Sequence, residues 1–211
     1  AIIPVRGKIL NCLKAEYNRI FESDIIIDLL KVLGCGVEIK TKSNKKISQF
    51  DMSKLRWSKI IICTDADVDG FHIRTEILTM IYRLIPSLIE EGKVYIAESP
   101  LFEISYKKET LFAYSENEKN EIVEKIRSKE QKNGQVPKIS IQRSKGLGEN
   151  EPDMMWLTTM NPATRRLIKV MPTDMKQMDD MFDLFLGDNL QGRKDFIQEY
   201  GYKYTDMLDV S

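Results

Sequence analysis

The chain has 211 residues, 32 of them Lys or Arg and 32 Asp or Glu, so its formal net charge is zero. That length accommodates one large or two small domains with real cores, and a neutral total announces no nucleic-acid partner. A single histidine, and three cysteines (Cys12, Cys35 and Cys63) without metal-ligand spacing, nearly exclude a zinc site or a Ser-His-Asp triad.

Ala1 to Val5 reads as a short apolar strand interrupted by Pro4, followed by Arg6-Gly7-Lys8, two cations around a glycine that suit a phosphate contact and, equally well on sequence alone, an exposed surface. From Ala15 to Leu33 the apolar residues Tyr17, Ile20, Phe21, Ile26, Leu29, Leu30 and Leu33 predict two short amphipathic helices broken near Ser23-Asp24. The second is capped by Ser23 or Asp24 and stopped by Gly34. Lys40 to Gln49 is polar and Lys-rich, a surface excursion. Ile60 to Cys63 is an apolar, β-branched run that suits a parallel strand covered on both faces.

After an acidic turn, Ile73, Ile77, Ile81, Leu84, Ile85 and Leu88 predict a buried helix, kinked at Pro86 and ending at Gly92. Val94 to Ala97 is a further strand, and Leu101 to Tyr106 pairs with Leu111 to Tyr114 as a hairpin around Lys107-Lys108. Residues 115 to 138 are highly charged, with Ile122, Val123 and Ile126 giving a weak helix before a loop at Asn133-Gly134 and Pro137. Lys138 to Arg143 alternates as a strand. Glu151 to Trp156 begins a helix that ends at Pro162, which starts another carrying Arg165 and Arg166 exposed. Asp174 to Leu186, with Met178, Met181, Phe182 and Phe185 as its apolar stripe, is a core-facing helix stopped by Gly187-Asp188. Arg193 to Tyr200 is short and amphipathic.

The stretch Lys59 to Glu76 carries the chemistry. Its apolar run leads into three alternating carboxylates, Asp65, Asp67 and Asp69, and then Gly70, which supplies backbone freedom. Functional groups of parallel sheets gather where strands end, and three such anions repel one another unless they splay into solvent or hold a cation. A calcium-binding helix-loop-helix has the same spacing of Asp65, Asp67, Asp69, Gly70 and Glu76. Its flanks differ, because that motif needs a helix leading in and an apolar residue where His72 stands. His72 and Arg74 project from the first helical turn beside the carboxylates, where a lone histidine is more often structural. Charge is also unevenly spread: Lys125 to Val170 holds ten Lys and Arg against four Asp and Glu, whereas Met171 to Ser211 holds four against nine. A basic segment beside an acidic one is compatible with a phosphate-facing surface and a solvated tail.

TDADVDGFHIRT resembles the acidic motif of the Toprim domain in the B subunits of bacterial type IIA topoisomerases, gyrase and topoisomerase IV. Five more blocks agree in order: IIPVRGKILN near the start, LGCG at 33 to 36, GKVYIAESPLF at 92 to 102, QRSKGLGE at 142 to 149 and TTMNP at 158 to 162. The resemblance runs from end to end. It implies an α/β Toprim-type, Rossmann-like parallel sheet lacking its first strand, over residues 1 to 105, and a connector with a mostly α-helical tail over 106 to 211. It also implies Mg2+ held by Asp65, Asp67 and Asp69, with Asp65 and Asp67 catalytic in double-strand DNA cleavage and religation. The resemblance implies Asp65 as the ligand shared by two metal positions, Asp67 as belonging to the second, and Asp69 as an outer ligand or orienter. The implied DNA contacts are Arg6, Lys8, His72, Arg74, Lys145, Arg165 and Arg166, with quinolone-type drugs binding near the first two.

By the same resemblance the nucleophile is a tyrosine of the A subunit, and ATP is hydrolysed in an N-terminal segment of the full-length protein. The chain begins at Ala1, inside a family block, and is expected to be a fragment, inactive alone, whose upstream glutamate ligand precedes it. Reduced thiols, no visible signal peptide and no run long enough to span a bilayer imply a cytoplasmic, chromosome-associated protein without membrane contact. Ser144 stands where the family usually has Tyr, Asn150 for Met, Glu76 for Leu and Gln191-Gly192 for Glu-Pro. A Toprim nuclease or primase would share the acidic turn but lack the later blocks, and an interaction module without metal chemistry is the other alternative.

Overall fold

The computed structural model describes residues 1–39, 47–132, 136–144, 146–172 and 175–207. Lys40 to Lys46 of the polar excursion, Asn133-Gly134, Lys145 and Asp174 lie outside the described residues. The chain divides into two compact units. One takes Ala1–Ile62, His72–Ile96 and, among the described residues, Lys169 to Met207; the other takes Cys63–Phe71 and Ala97–Ile168.

In the first unit, α1 (Tyr17–Ile20) and α2 (Asp24–Leu33) form where the spacing places them. Ser23 occupies the N-cap of α2 without a side-chain capping bond, and Gly34 ends it in the left-handed region at φ 82°. Ile20, Ile26 and Leu30 are buried in one apolar cluster with Met80, Ile81, Leu84, Leu88 and Val94. Those later residues belong to α3 (Val68–Leu84), to α4 (Ser87–Glu90) and to the strand that follows. Pro86 breaks the expected single helix outright, since it cannot donate the bond a continuous helix requires. Arg83 ties this helix to the N-terminal segment, donating to the carbonyls of Cys12, Leu13 (2.6 Å) and Ala15 (2.9 Å).

β1 (Ile60–Ile62) pairs in parallel with β2 (Val94–Ala97), Ile61 opposite Tyr95, in a three-stranded sheet completed by β6 (Leu167–Lys169) in the order β1-β2-β6. Val170 N donates to Val94 O and Glu98 N to Arg166 O. The partners step in opposite senses, so β6 runs antiparallel to β2 and the sheet is mixed rather than wholly parallel. β1 is its edge and only Ile62 is fully buried, so the strand is not covered on both faces as its composition suggests. Cys63 lies just past it and is exposed, whereas Cys12 and Cys35 are buried. No strand forms at Ala1 to Val5: Ile2 is 80% exposed, and Pro4 removes a ladder donor. α7 (Met175–Leu186) joins this unit through Phe182, stacked on Tyr82 with centroids 4.3 Å apart, and α8 (Leu190–Tyr200) follows.

The second unit is built on an antiparallel sheet of order β4-β3-β5, from β3 (Phe102–Tyr106), β4 (Glu109–Ala113) and β5 (Ile139–Arg143). The tail is therefore not simply helical. Phe102, Ile104 and Tyr106 alternate inward, and Lys107 takes φ 56° to turn the hairpin. The charged connector forms a full 17-residue helix, α5 (Glu116–Lys132). Ser115 caps it, its Oγ accepting from Glu118 N at 3.1 Å, and Val123, Ile126 and Glu130 face inward. Glu130 is buried against Lys107, 3.0 Å away. α6 (Pro152–Met155) runs into a π-helical turn at Trp156–Met160 closed by Asn161 N on Trp156 O. Pro162 starts only a turn, and β6 stands where a helix bearing Arg165 and Arg166 is expected.

Candidate functional site

The three carboxylates follow β1 directly, within the second unit as far as Phe71. Asp67 is the residue before α3, and its Oδ1 accepts the Gly70 N–H at 2.7 Å, which makes it the helix N-cap. Asp69 sits exposed in the first turn. Gly70 is buried and is not among the glycines with positive φ, so backbone freedom is not its role. A Cβ there would stand 2.8 Å from the carbonyl carbon and 3.0 Å from the nitrogen of Asp65, and nearer still to its carbonyl oxygen. Glycine is required because the Asp65 backbone passes over the first turn of the helix.

Asp65 is half-buried, and its Oδ1 accepts the Leu147 N–H at 2.7 Å across 82 residues of sequence. The glycine-rich segment is therefore packed on this carboxylate. Gly146 is extended (φ −170°), and a Cβ on it would meet the Asp65 carboxyl carbon at 3.4 Å. The segment is closed at its base by Ser144 Oγ donating to Asn150 Oδ1 at 3.0 Å, while Ser144 N donates to Leu101 O at 2.9 Å. A sequence reading could find the glycines but not the Leu147 donor, which is main chain, nor the Ser144–Asn150 pair. Beside Asp65, the Thr64 hydroxyl is buried and has no hydrogen-bond partner among the described residues.

The donor set fits Mg2+. It is anionic and all oxygen, as a hard cation prefers, and Asp65 and Asp67 each spend one oxygen on a backbone N–H while a carboxylate offers about four lone-pair sites. Among the described residues no group of three or more His, Cys, Asp or Glu is placed to enclose a metal ion. Mg2+ characteristically takes one or two carboxylates and leaves its other positions to water and phosphate oxygens.

The expected cations are distributed over both units. Arg6 and Lys8 are exposed in the first unit on either side of Gly7, whose φ of 123° only glycine adopts readily. His72 and the half-buried Arg74 also fall in that unit. His72 Nε2 lies 3.0 Å from Oε1 of Glu76, a buried carboxylate whose other oxygen has no partner among the described residues. Arg165 and Arg166 fall in the second unit. Arg165 reaches Met160 O at 3.5 Å, and Arg166 forks onto Glu118 at 2.7 and 3.3 Å with its guanidinium 3.9 Å from the Tyr114 ring centroid. This pair holds the Glu118 carboxyl below its ordinary value. Lys145 lies outside the described residues.

Residues 1–99 match the family model described as Toprim domain, which defines the class. Residues 136–198, from β5 into α8, match the model described as DNA gyrase B subunit, carboxyl terminus. The DNA gyrase B subunit of Thermotoga maritima is 41% identical over 207 residues, 98% of this chain and 30% of that protein. That of Halalkalibacterium halodurans is 42% identical over 210 residues, 100% of this chain and 30% of its own length, and that of Staphylococcus aureus 41% over 199 residues, 94% and 28%. The chain belongs to the family of DNA gyrase B subunits, and it spans about 30% of the length of these curated relatives. No described helix is long and apolar enough to cross a membrane.

Proposed function

We propose that this chain is the Mg2+-holding and DNA-facing part of the B subunit of an ATP-dependent type IIA topoisomerase, and that it supports double-strand cleavage and religation by a tyrosine of the partner A subunit. The observation that carries this is Asp65: a carboxylate at a strand end, oriented by the Leu147 N–H of the glycine-rich segment, within the described residues that the Toprim and gyrase carboxyl-terminal models match. A Toprim nuclease or primase would not call for the second match.

In this reading Asp65 and Asp67 hold the ion and Asp69 orients or supports it from the first turn of α3. When bound, the ion supplies Lewis-acid stabilisation of charge on the phosphate oxygens. The chain's own contribution is preorganisation. Leu147 N–H fixes the Asp65 carboxylate, and the capping bond to Gly70 fixes Asp67, so neither side chain must be ordered on binding. Arg6, Lys8, Arg74, Lys145 and Arg165 are proposed phosphate contacts, joined by His72 and Arg166 when those exchange their Glu76 and Glu118 partners for DNA. ATP hydrolysis belongs to the segment of the full-length protein outside this chain.

The test separates the two duties of Asp67. Asp67→Asn keeps a good N-cap but removes the charge; Asp67→Ala removes both, at about 1 kcal/mol of stability. In the assembled enzyme both variants should lose DNA cleavage by orders of magnitude while ATP hydrolysis persists, and only Asp67→Ala should melt lower. Normal cleavage by Asp67→Asn would return the carboxylate to a purely structural cap.

A further inference from the structure

We propose that Ser144 and Asn150 are positioning residues for Asp65: the hydrogen bond between their side chains holds the segment that presents the Leu147 N–H, and so sets how tightly the Asp65 carboxylate holds a divalent cation. The inference rests on Asp65 being a ligand, as argued above, and adds two residues that act on it through the backbone between them.

A main-chain N–H meets a carboxylate 82 residues away only if the backbone carrying it is held in place. Gly146 and Gly148 contribute no side chains to that restraint, and a Cβ at Gly148 would meet nothing within 4 Å. The restraint comes from the ends. Ser144 N is pinned to Leu101 O at 2.9 Å, at the start of β3, and Ser144 Oγ donates to Asn150 Oδ1 at 3.0 Å. Asn150 N returns to Leu147 O at 3.3 Å, and Asn150 Nδ2 faces Met155 Sδ at 3.7 Å, which anchors the amide to α6 and leaves its oxygen for the serine. Ser144 and Asn150 are both half-buried, so water competes only in part for this bond.

The bond the clasp protects is charge-assisted, short at 2.7 Å, and made to a carboxylate with further lone pairs to offer. Partners that orient a ligating carboxylate in this way are worth about 10- to 100-fold in metal affinity. Loss of the clasp frees the Leu147 amide to swing away, and Asp65 then spends binding energy on its own ordering.

The measurement uses this chain with two readouts. In the metal-free chain the Leu147 amide proton should be shifted downfield and protected from exchange. Ser144→Ala and Asn150→Ala should each abolish that signature and weaken Mg2+ binding, followed by calorimetry with Mg2+ alone, about tenfold. The double variant should be no worse than either single one, since both act through one bond. Ser144→Thr, which keeps the hydroxyl, should restore both readouts, and Ser140→Ala on the exposed part of β5 should change neither. Mg2+ binding lost in Asp65→Asn but unchanged in Ser144→Ala overturns the positioning role alone. Binding that survives Asp65→Asn overturns the ligand assignment and, with it, this proposal. An unaltered Leu147 signature in Ser144→Ala overturns the clasp.

Discussion

Replacing Gly70 with alanine sets two effects of opposite sign against each other. Gly70 is the third residue of α3, with no left-handed φ to protect, and alanine in a helix is better than glycine by up to about 1 kcal/mol. On propensity alone the variant should be more stable. Against it stands the Asp65 backbone, 2.8 and 3.0 Å from the position the new Cβ must take, with the carbonyl oxygen nearer still. Carbon contacts are comfortable at about 3.5–4.0 Å. The obstruction is main chain on one side and a helical turn on the other, so no rotamer change relieves it. Overpacking of this kind costs about 1–3 kcal/mol, and main-chain contacts this short place it toward the upper end, so a net loss of up to about 2 kcal/mol remains after the propensity gain. For a chain of this length each kcal/mol moves Tm by about 2–4 °C. The displaced residue is Asp65 itself, so Mg2+ affinity should fall with stability. Gly148→Ala, with open space at its Cβ, is the control and should do neither. Thermal melts and Mg2+ calorimetry on both variants decide it: a Gly70→Ala chain that melts higher and binds Mg2+ normally would refute the close approach of Asp65 to α3.

Under native conditions a thiol reagent should modify the exposed Cys63, whereas Cys12, its thiol pushed up to about 12 by burial, and Cys35, raised for the same reason, should wait for unfolding; three equally fast cysteines would contradict the core packing. The Arg166 guanidinium keeps Glu118 below its ordinary 4.5, so this carboxylate stabilises the fold above that pH and loses the contribution as pH falls through the folded value. With both side chains partly exposed the effect is about 1 kcal/mol or less, and Glu118→Gln should flatten the acid limb of the melting profile by that amount; an unchanged limb would count against the pair. DNA affinity should be sequence-tolerant and fall steeply with salt, and Arg6→Ala should lower the slope of the log-log plot by about one; an identical slope would remove Arg6 from the phosphate contacts.

Helices and strands were legible where one short window held the whole cause. The α2 pattern, its stop at Gly34, and the hairpin of β3 and β4 rest on spacing and turn chemistry that act locally. α5 looked weak because so few of its residues are apolar, yet Ser115 and Glu118 form the S-x-x-E signature of a helix start, and that local sign was available. Other elements depend on partners that no window contains. Among the described residues the apolar run at Ile2-Ile3 finds no neighbouring strand, while Leu167–Lys169, preceded by a proline turn that resembles a helix start, finds the free edge of β2 and becomes a strand. β composition describes a surface that fits a sheet, and only the tertiary pairing decides which segment is used.

The same division runs through the site. Three alternating carboxylates before a glycine declare themselves in the sequence, and so does the glycine-rich segment, but their relation does not. Gly70 could be read as a source of backbone freedom because glycine usually is; that it serves instead to let the Asp65 backbone pass is a fact about two chain segments in space. The Leu147 N–H is still further from view, since a main-chain donor has no letter in the sequence and its acceptor lies 82 residues earlier. The arrangement divides the labour of the centre: the local motif supplies the charges, and the distant loop supplies the orientation of one of them. On the proposed metal role of Asp65, a substitution in the loop would tune the site without altering a single acidic residue, and that is the reason Ser144 and Asn150 enter the proposal.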